Sequence, residues 1–525
     1  MMDTNTEIPE VAAPNIPNRS VSIVDYGAVG DGHTDNTQAI HAAIQACASA
    51  GGGQVVIPPG VWLTGPISLQ SRIELHAEAG ALVLFSKRFR DYPLVLSSYE
   101  GKQTVRCQSP LDGEGLEDIA ITGRGVFDGG GEAWRPVKRW KMTERQWNAL
   151  IRSGGVVDEN DVWWPTQAAK DGAAVAARLE REGVTDVDRY EAVRDYLRPN
   201  LLSLRRCRRI LLDGPTFQNS AAWCLHPWAS EQIIIRNVTV RNPWYAQNGD
   251  GLDIDSCRQV VVEDSAFDVG DDAICLKSGK DEAGRRLGLP SEHIAIRNCT
   301  VYHGHGGIVV GSEMSGGVRD VRVSDCTFIG TDIGIRFKSC RGRGGVVERI
   351  VIERVRMRDI VGEAISFNLY YEGKSGSGAM GDETPFPVTE ETPAFRNIRI
   401  TDVVCQGAES ALLINGLPEM PVSDFEWRDS VVSSKHGIVC RYGERVTLRN
   451  VELRVQGGPL VTLHQCRDIR LEGMAGEGSP DDDRLLHVTG SLTEAIECRS
   501  AAAEGTHRRV DVSPEVNREA VRIVG

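Results

Sequence analysis

The chain has 525 residues, 41% of them hydrophobic, enough to bury a large core, and no apolar run approaches the roughly 18 residues that mark a membrane-spanning helix. Its 59 basic side chains against 73 acidic ones give a net charge of −14. Such a field repels polyanions, so it speaks against general affinity for nucleic acid or an anionic membrane, while a local basic groove stays compatible with an anionic ligand.

Residues 1–20, "MMDTNTEIPEVAAPNIPNRS", read as a tail without a basic n-region or an apolar h-region, from which a cytoplasmic protein is expected. Next comes "TDNTQAIHAAIQACASAGGG", with capping candidates at Thr34 and Asp35, apolar residues at helical spacing and Gly51 to Gly53 as a stop. The helix it predicts would cover the open end of a solenoid. Over residues 135–200, stretches such as "AAVAARLERE" and "YEAVRDYL" predict a helical insertion. Trp134, Trp140, Trp147, Trp163 and Trp164, half of the 10 tryptophans, lie in or beside it, as anchors or as surfaces for stacking sugars. The 13 cysteines are odd in number and sit mostly inside apolar runs such as "AICLK" and "IRNCTV", which reads as reduced core thiols rather than a disulfide framework.

From the middle onward a strand pattern ending in Asn, Asp or a substitute keeps returning: "IIIRNVTV" from Ile233, "VVVEDSAF" from Val260, "IAIRNCTV" from Ile294, "VRVSDCTF" from Val321, and four later copies from Ile350, Ile398, Phe425 and Val446. Weaker copies start at Ile119, Ile210 and Ile469. Apart from one 48-residue interval the strong copies lie 21 to 34 residues apart, the length of one solenoid coil. A second series runs in phase with the first, through "GLDID" from Gly251, "AICLK" from Ala273, "GIVVG" from Gly307, "GIRFK" from Gly334 and later copies. Positions two and four of this strand are apolar; the rest are small or polar. Period two then sends the first set into a core and the second toward solvent. Together the series predict an all-β fold, a single-stranded right-handed parallel β-helix with one strand per side of each coil, spanning residues 21–475. Over residues 476–525 the pattern fades and no role is assigned. "YYEGKSGSGAMGDETPFP", from Tyr370, reads as a loop near a groove, with Tyr370 or Tyr371 either touching a sugar or packed beneath it.

The phase of the repeat gathers chemistry. Asp250 directly precedes "GLDID", Asp271 and Asp272 precede "AICLK", His305 and Gly306 precede "GIVVG", and Arg336 and Lys338 stand at outward positions of "GIRFK". These residues should stack on one face. Hydrolysis of an acidic sugar polymer needs one protonated carboxyl for the leaving oxygen and an ionised one to activate water, and like charges nearby push such pKa values apart. Arg and Lys beside them suit a substrate carboxylate. Each element alone has a plain structural reading, a turn for "GDD" and a loop residue for His305; coincidence of phase favours the functional one. Asp253 and Asp255 are also expected to point outward, with Asp255 opposite Lys277. "DGLDID" lacks the glycine and distal glutamate of an EF-hand loop, so no metal or cofactor is assigned.

The same segments carry a family resemblance. "NGDGLDIDSC", "VGDDAICLKSG", "GHGGIVVGSEMSGG" and "IRFKS" resemble, in order, the four signature segments of glycoside hydrolase family 28, the polygalacturonases, and "DYGAVGDGHTDNTQAI" with "GGGQVVIPPGVWLTGPI" is similar to the opening of bacterial members. The resemblance implies an inverting hydrolase acting on pectic oligosaccharides. It further implies Asp271 as general acid, Asp250 and Asp272 as the pair that activates water, His305 as support for the acid, Arg336 and Lys338 as carboxylate ligands, and Asn248 as the asparagine of the first motif. Stacked coils are compatible with the ~6.5–9.5 Å carboxylate gap of inversion. Gly249, where many endo-acting members carry Thr, the form "GSEMSGG" and the insertion point to exo action. The alternatives are a rhamnogalacturonan-type hydrolase of the same family, a calcium-dependent pectate lyase, and a non-catalytic glycan-binding β-helix.

Overall fold

In the computed structural model, residues 9–371, 383–477, 482, 484–500 and 509–524 are described. Most of the loop expected after Tyr371, residues 372–382, lies outside them. The chain divides into two compact units, Pro9–Cys275 and a second from Leu276 onward, both made of right-handed parallel β-helix coils.

In the first unit, one parallel ladder stacks Ile73, Ile119, Ile210, Ile233 and Val260 in register. A second stacks Ile67, Leu111, Leu202, Leu225 and Leu252. A third stacks Val83, Phe127, Phe217, Val240 and Phe267. The two strand series expected are thereby joined by a third: each coil of this unit has three short strands, one per ladder. The extra break comes at the recurring Asn or Asp. Asn237 (φ 55°), Asp264 (51°), Asn298 (51°), Asp325 (58°), Asp402 (52°), Asp429 (51°) and Asn450 (52°) are all left-handed, as are Arg354 (53°) and the substitutes Gly123, Gly214 and Gly473. Asn and Asp tolerate this conformation better than other side chains, which is why the pattern returns to them and why the run "IIIRNVTV" is two strands joined by a corner.

The second unit continues the ladders, but from Val346 onward the first and third strands of a coil run on as one strand of 11 to 13 residues, such as Val346–Arg358 and Gly443–Val455, with the left-handed residue inside it. Ile294, Val321, Ile350, Ile398, Phe425, Val446, Ile469 and Ile496 form one ladder. Ile308, Ile335, Ile365, Leu412, Ile438, Val461 and Leu486 form another. The core is aliphatic with stacked rings such as Phe337 on Phe367, 4.5 Å between centroids. Contrary to the expected fading after residue 475, Arg484–Thr489, Glu494–Ser500 and Val521–Val524 keep the parallel pairing.

Helix Thr37–Ser49 packs Ile40, Ala43, Ile44 and Cys47 onto the first coils, as a cap. Its N-cap is Asn36 rather than Thr34 or Asp35, although Asp35 Oδ1 accepts from the Thr37 N–H at 3.0 Å. The insertion holds helices Glu144–Arg152 and Gln167–Arg181 and the 3-10 turns Val187–Tyr196. It also contains an antiparallel sheet of Val137–Lys138, Val162–Trp164 and Val156–Val157. Neither this sheet nor the hairpin Leu94–Tyr99/Lys102–Cys107 was expected from the sequence; the sheet's strands are too short to show a period, and "LVLSSY" and "KQTVRC" do not alternate apolar with polar. Hairpin and insertion share one core, in which Tyr92, Val105 and Cys107 meet Trp134, Leu179 and Tyr190. Trp134, Trp147 and Trp163 are buried anchors, whereas Trp140 stands in solvent.

Candidate active site

In the first unit the turns before two successive second-ladder strands are stitched together. The Gly251 N–H donates to the Asp272 carbonyl at 2.9 Å, and a Cβ on Gly251 would meet the Ala273 carbonyl oxygen at 2.4 Å, so only glycine lets the coils close this far. Gly249 is equally tight, with Ala246 Cβ 2.6 Å from where its own Cβ would stand. Asn242, buried, donates from Nδ2 to the carbonyls of Gly249 and Asp250 at 3.2 Å each and locks the turn. The result brings one carboxylate oxygen from each of Asp250, Asp271 and Asp272 within 4.8 Å of one another. Asp250 and Asp272 are buried and Asp271 is half-buried. The stacking expected of these three is what the structure shows. The oxygen separation is shorter than the gap of about 6.5–9.5 Å usual for inverting pairs, so the spacing itself does not argue for inversion.

Asn248, at φ 53°, has its Oδ1 held by Arg198 Nη2 at 2.8 Å, and Arg198 also donates to the Gln247 carbonyl at 2.9 Å. Arg198 comes from the end of the insertion, 50 positions earlier, and sequence reasoning passed over it. Asp253 and Asp255 alternate with the core residues Leu252 and Ile254, yet both are fully buried, so being outward of the coil does not bring them to solvent. A covering layer explains this: Tyr99 of the hairpin lies 4.8 Å from Trp223, Trp223 sits edge-on 5.0 Å from His226, and His226 Nε2 reaches Asp255 Oδ2 at 3.4 Å. His226, missed earlier, stands in "LHPW", the coil just before "GLDID", where the same period could have found it.

The second unit carries the remaining residues. His305, half-exposed, has Nε2 3.8 Å from Asp332 Oδ2, and its carbonyl accepts from Arg336 Nη1 at 3.3 Å. Lys338 is buried, and the ring of Tyr371 lies 4.9 Å from its Nζ and 5.5 Å from Arg336 Cζ. Tyr370 has Arg341 over its ring, the guanidinium carbon 5.6 Å from the centre. Lys277 is held by Glu313 of "GSEMSGG" at 2.8 Å, both buried. Burial alone would raise the Glu313 pKa; the charge and hydrogen bond of Lys277, with Lys338 behind it, outweigh that and hold the carboxyl well below the usual range.

A probable polygalacturonase of Vitis vinifera is 31% identical over 422 residues, covering 78% of this chain and 74% of the relative. The chain belongs to the glycosyl hydrolases of family 28. The sequence pattern of that family matches residues 191–450, a stretch containing every candidate above. This family 28 enzyme is also 28% identical to an exo-poly-alpha-D-galacturonosidase of Dickeya chrysanthemi, over 79% of this chain and 65% of the relative. An exopolygalacturonase of Thermotoga maritima superimposes with a TM-score of 0.72 at 32% identity, covering 84% of this chain and 93% of that one. The enzyme is thus a polygalacturonase-type glycoside hydrolase, and the lyase and non-catalytic alternatives fall away.

Proposed function

We propose that the enzyme is an exo-acting, inverting galacturonosidase that removes terminal α-1,4-linked galacturonic acid from pectic oligosaccharides. The observation that carries exo action is the crowding beside the acid cluster. Arg198 of the insertion grips Asn248, and the hairpin's Tyr99 packs 4.8 Å from Trp223, whose neighbour Cys224 donates its N–H to the Asp250 carbonyl at 3.0 Å. Two added segments thus occupy space that an open groove would leave to further sugars. Exo-acting relatives support the same reading.

In this reading Asp271 gives its proton to the glycosidic oxygen as the bond to the anomeric carbon breaks. Asp250 and Asp272 take a proton from the water that adds to that carbon from the opposite face. Arg336 and Lys338 hold the sugar carboxylate, with Tyr371 beside them, Asn248 orients the sugar, and His305 supports the acid. These roles, and inversion itself, follow the order of the family's motifs. The twelve buried thiols suit a reducing compartment, so we place the enzyme in the cytoplasm, which cell fractionation would check.

Trigalacturonate and pentagalacturonate, incubated with the protein in a chelator, should yield saturated monomer of inverted anomeric form, and Asp271→Asn should lower the rate about 10²–10⁴-fold. Early products of mixed length would sink exo action; a retained anomer would sink inversion. Residues 20–86 match a pattern described as rhamnogalacturonase A/epimerase, pectate lyase-like, so rhamnogalacturonan fragments form the second arm of the assay.

A further inference from the structure

The bond that is cut joins two uronates, whereas Arg336 and Lys338 together suit one carboxylate. Two further cations stand in the first unit, on the turn that leads into the acid cluster. Arg106 of the hairpin and Arg198 at the end of the insertion are 8% and 9% exposed, and neither forms an ion pair among the described residues. Buried arginines are nearly always paired, because a charge taken out of water is costly unless an opposite charge replaces the solvent.

Their hydrogen bonds go to neutral acceptors. Arg198 donates to the carbonyls of Ala221 and Gln247 at 2.9 Å each and to Asn248 Oδ1 at 2.8 Å. Arg106 donates from Nη2 to the Arg198 carbonyl. Its other two nitrogens have no partner among the described residues and, unlike Nε of the 1% exposed Arg135, are not sealed from solvent. The guanidinium carbon of Arg106 lies 3.8 Å from the centre of the Tyr99 ring, and that ring packs 4.8 Å from Trp223, so a stack of rings holds the cation in place. Burial pushes the Arg198 guanidinium below its ordinary value and the like charge of Arg106 adds to the fall; the opposing charges, that of the half-exposed Glu100 among them, do not offset it. Arg198 grips Asn248, two positions before Asp250, and Arg106 is bound to Arg198, so both cations belong to the surroundings of the acid cluster.

We propose that Arg106 and Arg198 form the carboxylate pocket for the terminal uronate, the unit whose anomeric carbon is attacked. An anion is what two neighbouring, unpaired guanidinium groups lack, and a planar carboxylate matches their N–H donors. The hairpin and the insertion then do more than close the groove: they read the last unit of the chain by its charge. A neutral hexose in that place would leave both cations without a partner, which is how a polar site rejects an analogue that lacks the matching group. The inference rests on the galacturonosidase reading and adds to it the residues that select an acidic end unit.

Digalacturonate and the dimer with galactose in place of its non-reducing galacturonate differ only in the carboxylate at issue. Arg106→Met should lower kcat/KM for digalacturonate about 10–100-fold and affect the galactosyl dimer far less, and Arg106→Lys should recover part of the loss. Thermal unfolding gives a second readout. An unpaired buried cation replaced by an apolar side chain should leave the midpoint equal or higher, whereas loss of a structural brace would lower it. Galacturonate should raise the wild-type midpoint more than galactose does at equal concentration, and Arg106→Met should narrow that difference. Wild-type kcat/KM in Arg106→Met, a fall of equal size on both dimers, or a lowered midpoint overturns the pocket while leaving the galacturonosidase reading intact. A wild type that cleaves no oligogalacturonate sinks that reading, and the preference for galacturonate over galactose in unfolding then decides the pocket: it stands if Arg106→Met loses the preference and falls if the preference is absent or survives.

Discussion

Glu313 shows what a single residue contributes that its sequence context concealed. "GSEMSGG" was readable as a family form, but the partner of its glutamate stands 36 positions earlier and is visible only in space. Glu313 is the buried counter-charge of Lys277, and breaking such a pair costs about 3–5 kcal/mol because the surviving charge is left in a poor solvent. Thermal unfolding of Glu313→Gln at pH 7 should show a loss of that order. The pH dependence follows from the direction of the shift. A carboxyl whose folded pKa lies below its unfolded value, about 4.3, contributes fully above roughly pH 5 and loses the contribution as pH falls through that range toward the depressed value. The wild type should therefore lose stability on acidification more steeply than the variant; parallel acid limbs would contradict the assignment. Asp250, Asp271 and Asp272, by contrast, were legible, because each occupies the same phase of a repeat.

At the scale of elements, the corner after each first-ladder strand is the feature to test. Asn450 is exposed, left-handed at φ 52°, and donates from Nδ2 to Asp429 Oδ1 of the preceding corner at 3.0 Å. Asn450→Ala should cost about 1–2 kcal/mol, from left-handed strain together with the lost hydrogen bond, while Asn450→Gly should cost less because glycine relieves the strain. Chemical denaturation of both variants checks the order, and equal losses would mean that the conformation is not what selects asparagine. The recurrence of Asn and Asp was plain in the sequence, yet its meaning was not. A turn residue and a strand-terminal polar residue look alike until the backbone angle is known, so in coils such as Glu231–Arg241 two strands were read as one, while at Asn450 the strand runs on through the left-handed residue. The insertion sheet was invisible for a related reason, since two or three residues per strand cannot display alternation, whereas the hairpin's six-residue strands "LVLSSY" and "KQTVRC" do not alternate apolar with polar.

At the scale of the whole molecule, twelve of the thirteen cysteines are buried and Cys340 is half-buried. Burial pushes the thiol of Cys207 up to about 11 and those of Cys107 and Cys405 up to about 12, so little reactive thiolate forms near neutrality. A thiol reagent at pH 8 should label about one site rapidly in the native protein, Cys340, and all thirteen after denaturation; fast native labelling of several would show that the coils open.

By itself the sequence determined the coil, its period, the capping helix, the place of the insertion and the phase of the acidic motifs. Those properties are local and repeated: one coil's apolar alternation predicts the next, and parallel stacking converts equal phase into proximity. Only the tertiary structure decided which outward positions see solvent. The hairpin and insertion fold back over the first unit's coils, burying Asp253 and Asp255, aligning His226 with Asp255 and bringing Arg198 to Asn248. Contacts of that kind join segments tens of residues apart that share no period, and the burial and pairing that stabilise them depend on three-dimensional packing rather than on any spacing in the chain.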